Sequence, residues 1–201
     1  MLSRINPAVE RDLLTGFETG YANAVASFNK LTNENFNYKI LCSGFFALDS
    51  QPFMESAVLN RKGSDLLLTT EVFGELTGKS YLLIPERDYA HLTKSIPEDE
   101  SHSFSFKEEF AKELDNILSA AVITQLSNEL RLKIYGDVPI LVGKIAGDLK
   151  EIIIRDFGEN TNEVFLTGIS FSFDRNPDFN MRFIWVLNSH LLKAIASQVS
   201  K

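Results

Sequence analysis

Apolar positions recur at three- and four-residue steps in two long stretches of the chain, with strand-like runs after each. In the first stretch Val9, Leu13, Phe17, Tyr21 and Ala24 share one face. Following Pro7, which suits a first helical turn, they predict a helix over 8–34 that stops at Asn33-Glu34-Asn35. Tyr38–Leu48 is rich in aliphatic and aromatic residues and predicts a strand, and 49–63, with Pro52 and Gly63, a connection. Asp65–Leu76 and Ser80–Ile84 read as a hairpin turning at Thr77-Gly78-Lys79. Pro85-Glu86-Arg87 opens a shorter helix to about Ile96.

A polar, acidic linker from Pro97 to Ser103 follows, and then the plan repeats. Phe106–Leu130 predicts a second long helix and Arg131–Pro139 a strand. The connection over 140–158 has room for a helix near 143–151. Glu163–Asp174 and Asn180–Leu187 form a second hairpin across Asn176-Pro177-Asp178, and Ser189 caps a final helix to about Val199. Leu31-Thr32-Asn33-Glu34 matches Leu126-Ser127-Asn128-Glu129 at an offset of 95, which also pairs Glu18 with Glu113. Leu67-Leu68-Thr69 resembles Phe165-Leu166-Thr167 at a slightly larger offset. The expected fold is therefore α+β: two pseudo-symmetric α-β-β-β-α halves, about 7–97 and 104–200, forming one domain over 1–201. Two long helices would pack on a shared antiparallel sheet.

Composition narrows the function. The 201 residues are 44% hydrophobic and 23% charged, ordinary globular usage for a chain long enough to bury a substantial core. A net charge of −7 disfavours nucleic acid and anionic membrane surfaces as partners, since both call for a Lys/Arg surplus. It suits a protein partner that presents a basic group. Cys42, the one cysteine, lies in an apolar run and reads as a buried, inert thiol. No run approaches a membrane span and Met1–Pro7 lacks a signal-peptide core, so a cytoplasmic protein is expected.

The chemistry sits on the second long helix. Glu113 and Asn116, three apart, project from the same side of a helix about 60° from one another. Then 22 residues separate Asn116 from Pro139. Phe106, Phe110, Leu114, Ile117 and Ala121 form the expected core stripe, with Glu109, Glu113, Asn116 and Ala120 on the adjoining arc. Ala120 leaves room for a partner's backbone, and Pro139, without an N–H, can shape the strand end beside the helix. A carboxylate beside a carboxamide can grip a cation and orient a water.

Glu109, Glu113, Asn116 and Pro139 together resemble the active-site signature of the CheC/CheX/FliY family of chemotaxis phosphatases. That signature usually begins with Asp or Ser, so Glu109 departs from it. The surrounding Glu-Leu-Asp-Asn-Ile-Leu-Ser-Ala-Ala and the duplicated plan resemble CheC as well. CheC-like proteins carry up to two such sites. Here Tyr21 stands where the first half's Asn belongs after Glu18, and Gly44 stands at the Pro position, so the resemblance implies one intact site and one degenerate one. It further implies hydrolysis of the aspartyl phosphate on a CheY-like receiver domain. Asn116 would orient the attacking water and Glu113 pair with the receiver's lysine. No cofactor of the chain's own is implied; Mg²⁺ would come with the receiver. The alternative is a non-catalytic adaptor that binds a receiver, a CheD-like regulator or a flagellar switch.

Other signals carry less. His91, His102 and His190 are far apart, without the spacing of a metal site. Gly16 and Gly20 fit close packing against the matching helix better than phosphate binding, and no P-loop or hydrolase elbow is present. The 16 phenylalanines read as core.

Overall fold

The computed structural model describes residues 6–60, 63–94, 104–146, 149–159, 161–190 and 192, and the side chains of all of these except 104 and 105. Helix α1 spans Pro7–Thr32; the Asn6 side chain accepts the Ala8 N–H at 2.8 Å at its start. Then come β1 (Phe36–Ala47), a short α2 (Gln51–Met54), the hairpin β2 (Asp65–Gly74) and β3 (Gly78–Pro85), and α3 (Glu86–Leu92). The second half runs α4 (Phe104–Leu130), β4 (Ile134–Gly136), β5 (Ile140–Ile145), α5 (Leu149–Phe157), β6 (Glu163–Phe173) and β7 (Arg182–Asn188). The linker at 97–103 and the final helix beyond residue 192 lie outside the described residues.

The protein is α+β, with two long helices on a seven-stranded antiparallel sheet of order β1-β6-β7-β3-β2-β4, where β5 also pairs β2. That order reads alike from both ends. The two hairpins meet at β3–β7, and each half's first strand lies beside the other half's second. One face of the sheet carries α1 and α4 over a core that includes Phe17, Phe28, Leu82, Leu114, Leu118 and Trp185. The other face is covered by α5 and the 53–59 segment, through Phe53, Leu59, Ile153 and Phe157. The glycines of α1 allow close approach: a Cβ on Gly20 would lie 2.9 Å from Val122 Cα, and one on Gly16 3.0 Å from Leu126 Cδ2.

Several expectations change, among them the first hairpin's turn, which falls at Glu75-Leu76-Thr77 because β3 already begins at Gly78. The region 140–158 holds a strand, β5, and its helix lies at Leu149–Phe157 instead of near 143–151. Ile140 to Ile145 alternates more and less exposed positions, the mark of an edge strand with one face half-covered. The expected strand 131–139 is shorter, because β4 and β5 lie end to end along β2 with a break at Asp137-Val138-Pro139. Proline has no N–H to give to a ladder, so the edge strand is interrupted where Pro139 enters. In the first half the corresponding edge, β1, runs unbroken through an irregularity between Ile40 and Cys42.

A further change concerns the buried face of α4. Ala111, Leu114, Asp115, Leu118, Ser119, Val122, Ile123 and Leu126 are buried, while Phe106 is 40% exposed and Phe110, Ile117 and Ala121 are half-buried. The inward face is thus turned by roughly one residue step, about 100°, from the apolar stripe. Two polar residues, Asp115 and Ser119, occupy core positions, which hides the true face from a reading of hydrophobic periodicity.

This face also sets the internal match. Leu13, Gly16, Phe17, Gly20, Tyr21, Ala24, Val25 and Phe28 of α1 are buried, and each lies 98 residues before a buried residue of α4. Both long helices end on a left-handed residue, Asn33 (φ 54°) and Arg131 (φ 55°), again 98 apart. The hairpin match of Leu67 with Phe165 has the same offset. The structural repeat is 98; the four-residue match at 95 joins positions three residues out of step.

Candidate functional site

Glu109, Glu113 and Asn116 all lie on the outward face of α4, and Pro139 packs on the other side of one open cleft of about 320 Å³. Lys112, Gly136, Asp137 and Val138 complete its lining. The helix is one wall and the broken edge strand the other. The 22 intervening residues finish α4, turn the chain at Arg131 and lay β4 back alongside the same helix face.

The Glu113 and Asn116 side chains are exposed and, among the described residues, make no hydrogen bond or ion pair. Glu109 is engaged: it accepts from Lys112 Nζ at 2.8 Å, and its carboxylate raises the Lys112 ammonium's pKa. With that pair offset, Glu113 and Asp137 leave the cleft acidic. Asp137 caps the corner locally, its Oδ1 accepting the Val138 N–H at 2.7 Å, while its own N–H donates to the Glu71 carbonyl at 2.9 Å. Pro139 is buried and Val138 is 73% exposed at the rim. Lys112, Asp137 and Val138 were not singled out in the sequence; for Asp137 and Val138 the signal was their place immediately before Pro139.

Beneath this wall lies a buried polar cluster. Thr70 Oγ1 of β2 donates to Asp115 Oδ2 at 2.7 Å, and Ser80 and Ser119 hydroxyls meet at 3.1 Å. Burial pushes the Asp115 carboxyl up to about 7, against the smaller opposing effect of the Thr70 and Ser119 hydroxyls.

The first half has no comparable pair. Tyr21 is fully buried; its hydroxyl reaches Thr167 Oγ1 at 3.4 Å and burial drives its pKa upward. It therefore does not stand at the position of exposed Asn116. By the 98-residue match Thr15 corresponds to Glu113, Glu18 to Asn116 and Arg11 to Glu109, all three exposed. Gly44 likewise lies away from the Pro139 position, which falls within the β1 irregularity near Cys42. The Cys42 thiol is half-buried and its pKa is raised by burial. His91 bonds Glu34 Oε2 at 3.1 Å, and His102 lies outside the described residues. Among the described residues no three His, Cys, Asp or Glu side chains are grouped to hold a metal ion. No described helix is long and apolar enough to cross a membrane.

Solved structures share this fold. FliY from Thermotoga maritima is similar over 98% of this chain and 97% of its own, with a TM-score of 0.65 and 13% identity. CheX in the CheX–CheY–BeF3–Mg complex from Borrelia burgdorferi matches 86% of this chain and 97% of its own, at TM-score 0.52 and 14% identity. The chain has the fold of these FliY and CheX structures. A FliM middle domain from Vibrio alginolyticus is also similar to this CheC-like fold, over 92% of this chain and 97% of that one, with a TM-score of 0.58 and 9% identity. No family model and no curated protein matches the sequence.

Proposed function

We propose that the protein is a phosphatase of a phosphorylated CheY-like receiver domain, acting through Glu113 and Asn116. The observation that carries this reading is the exposed, unpartnered carboxylate–carboxamide pair at the mouth of a cleft closed on its far side by Pro139. A cleft this open, on a rigid helix, can receive a phosphate held by another protein. The Asn116 carboxamide accepts a hydrogen from a water and donates one to a phosphoryl oxygen, aligning the water opposite the scissile bond. The water oxygen bonds to phosphorus, the bond to the receiver's aspartate oxygen breaks, and inorganic phosphate leaves with the carboxylate restored. Glu113 pairs with a receiver lysine and fixes the register of the two proteins. The receiver supplies the Mg²⁺. The CheX–CheY–BeF3–Mg complex, whose CheX has a similar fold, supports a receiver as the partner.

Asn116→Ala should abolish accelerated dephosphorylation of a matched receiver and, at an exposed position, change unfolding stability by no more than about 0.5 kcal/mol. Unchanged turnover in that variant, measured by phosphate release, would refute the assignment. The likeness to a FliM middle domain favours a second reading, a non-catalytic adaptor for a receiver, a CheD-like regulator or the flagellar switch. Receiver binding without any wild-type phosphate release would select it.

A further inference from the structure

We propose that Asp115, which neither the signature nor the cleft lining includes, is a positioning residue that sets the spacing between the two walls of the cleft. The inference deepens the phosphatase reading and rests on it for its consequence in catalysis. Asp115 sits between Glu113 and Asn116 in sequence, and its side chain points the opposite way, into the sheet. There it takes the Thr70 hydroxyl at 2.7 Å. Thr70 is on β2, and its Cγ2 would lie 3.6 Å from a Cβ built on Gly136 of β4. The next residue on β2, Glu71, holds the Asp137 N–H through its carbonyl at 2.9 Å. One side-chain bond therefore ties the helix that presents Asn116 to the strand that anchors Asp137-Val138-Pro139.

The chain contains its own comparison. The residue of α1 that matches Asp115 is Phe17, an apolar core residue stacked on Phe165, and Ser119 is matched by Tyr21. A buried carboxyl with few hydrogen-bond partners is costly. It occurs in the half with the intact pair and is replaced by an aromatic ring in the half without one. Packing alone is satisfied by phenylalanine, so the carboxyl has a task that packing does not set.

Three variants test this. Asp115→Asn keeps the shape and the oxygen that accepts from Thr70; Asp115→Leu and Thr70→Val remove the bond from either end while keeping bulk. Amide hydrogen exchange of the free protein should show the Asp137 N–H opening about ten-fold more readily in Asp115→Leu and Thr70→Val, as for one lost hydrogen bond, and unchanged in Asp115→Asn. With a phosphorylated receiver, the first two should lose roughly 10–100-fold in kcat with KM little changed, and the double variant should be no worse than either single one. Wild-type exchange at Asp137 in Thr70→Val would overturn the proposal, as would additive losses in the double variant. A wild-type protein that releases no phosphate would instead remove the phosphatase reading, and the exchange result would still decide the role of Asp115.

Discussion

Asp115 has a thermodynamic signature of its own. Burial lifts its carboxyl from the ordinary 3.8 to about 7. Between those values the folded protein holds a proton that the unfolded chain has released, so stability falls as pH rises through this window and the loss is complete above about 7. The full effect is at most about 4 kcal/mol. Asp115→Asn removes the titration, so in urea denaturation the variant should gain on the wild type progressively from pH 4 to pH 8. Parallel stability curves would show that the carboxyl is not held protonated. Ser119 illustrates the same economy: its hydroxyl is buried but meets Ser80 across the helix–sheet interface. Satisfied polar side chains of this kind look like surface residues in a sequence.

At the scale of elements, the contact between α1 and α4 rests on glycine. A methyl on Gly20 would meet Val122 Cα at 2.9 Å, closer than packed carbons tolerate, and the obstacle is main chain that cannot rotate aside. Gly20→Ala should cost about 1–3 kcal/mol by pushing the helices apart, read as a lower denaturation midpoint at unchanged m-value. The break between β4 and β5 is the other decisive feature. It follows from a proline at a ladder position, and it leaves the cleft at an edge where the first half has continuous strand. The proline was visible in the sequence. The strand beyond it was not, because six residues alternating between half-covered and exposed make a weak strand signal beside a buried one.

At the scale of the whole molecule, β1 pairs β6 and β5 pairs β2, so each half supplies an edge strand to the other's hairpin. A fragment holding only residues 104–201 keeps α4 but loses the strand its own β4 and β5 pair with. It should be unfolded as a monomer or recover structure only as a dimer in which two copies take the places of the two halves. Circular dichroism with sedimentation over a concentration range distinguishes these; a folded, monomeric fragment would refute the dependence. The charge of −7 and the acidic cleft add a further expectation: association with a basic receiver surface should weaken as ionic strength rises.

The sequence by itself determined the two long helices, both hairpins, the α+β class and the placing of Glu113 and Asn116 on one side of a helix, because caps, turns and strand periodicity are local and a helix places i and i+3 together wherever it lies. Only the tertiary structure decided which face of α4 is inside, since Asp115 and Ser119 are buried by partners on β2 and β3, forty-five and thirty-nine residues away. It alone decided the internal register as well. Neighbouring offsets fit a helical pattern almost equally, and the choice of 98 over 95 rests on what each helix buries and where it turns. That choice puts Glu18 opposite Asn116 and Tyr21 in the core.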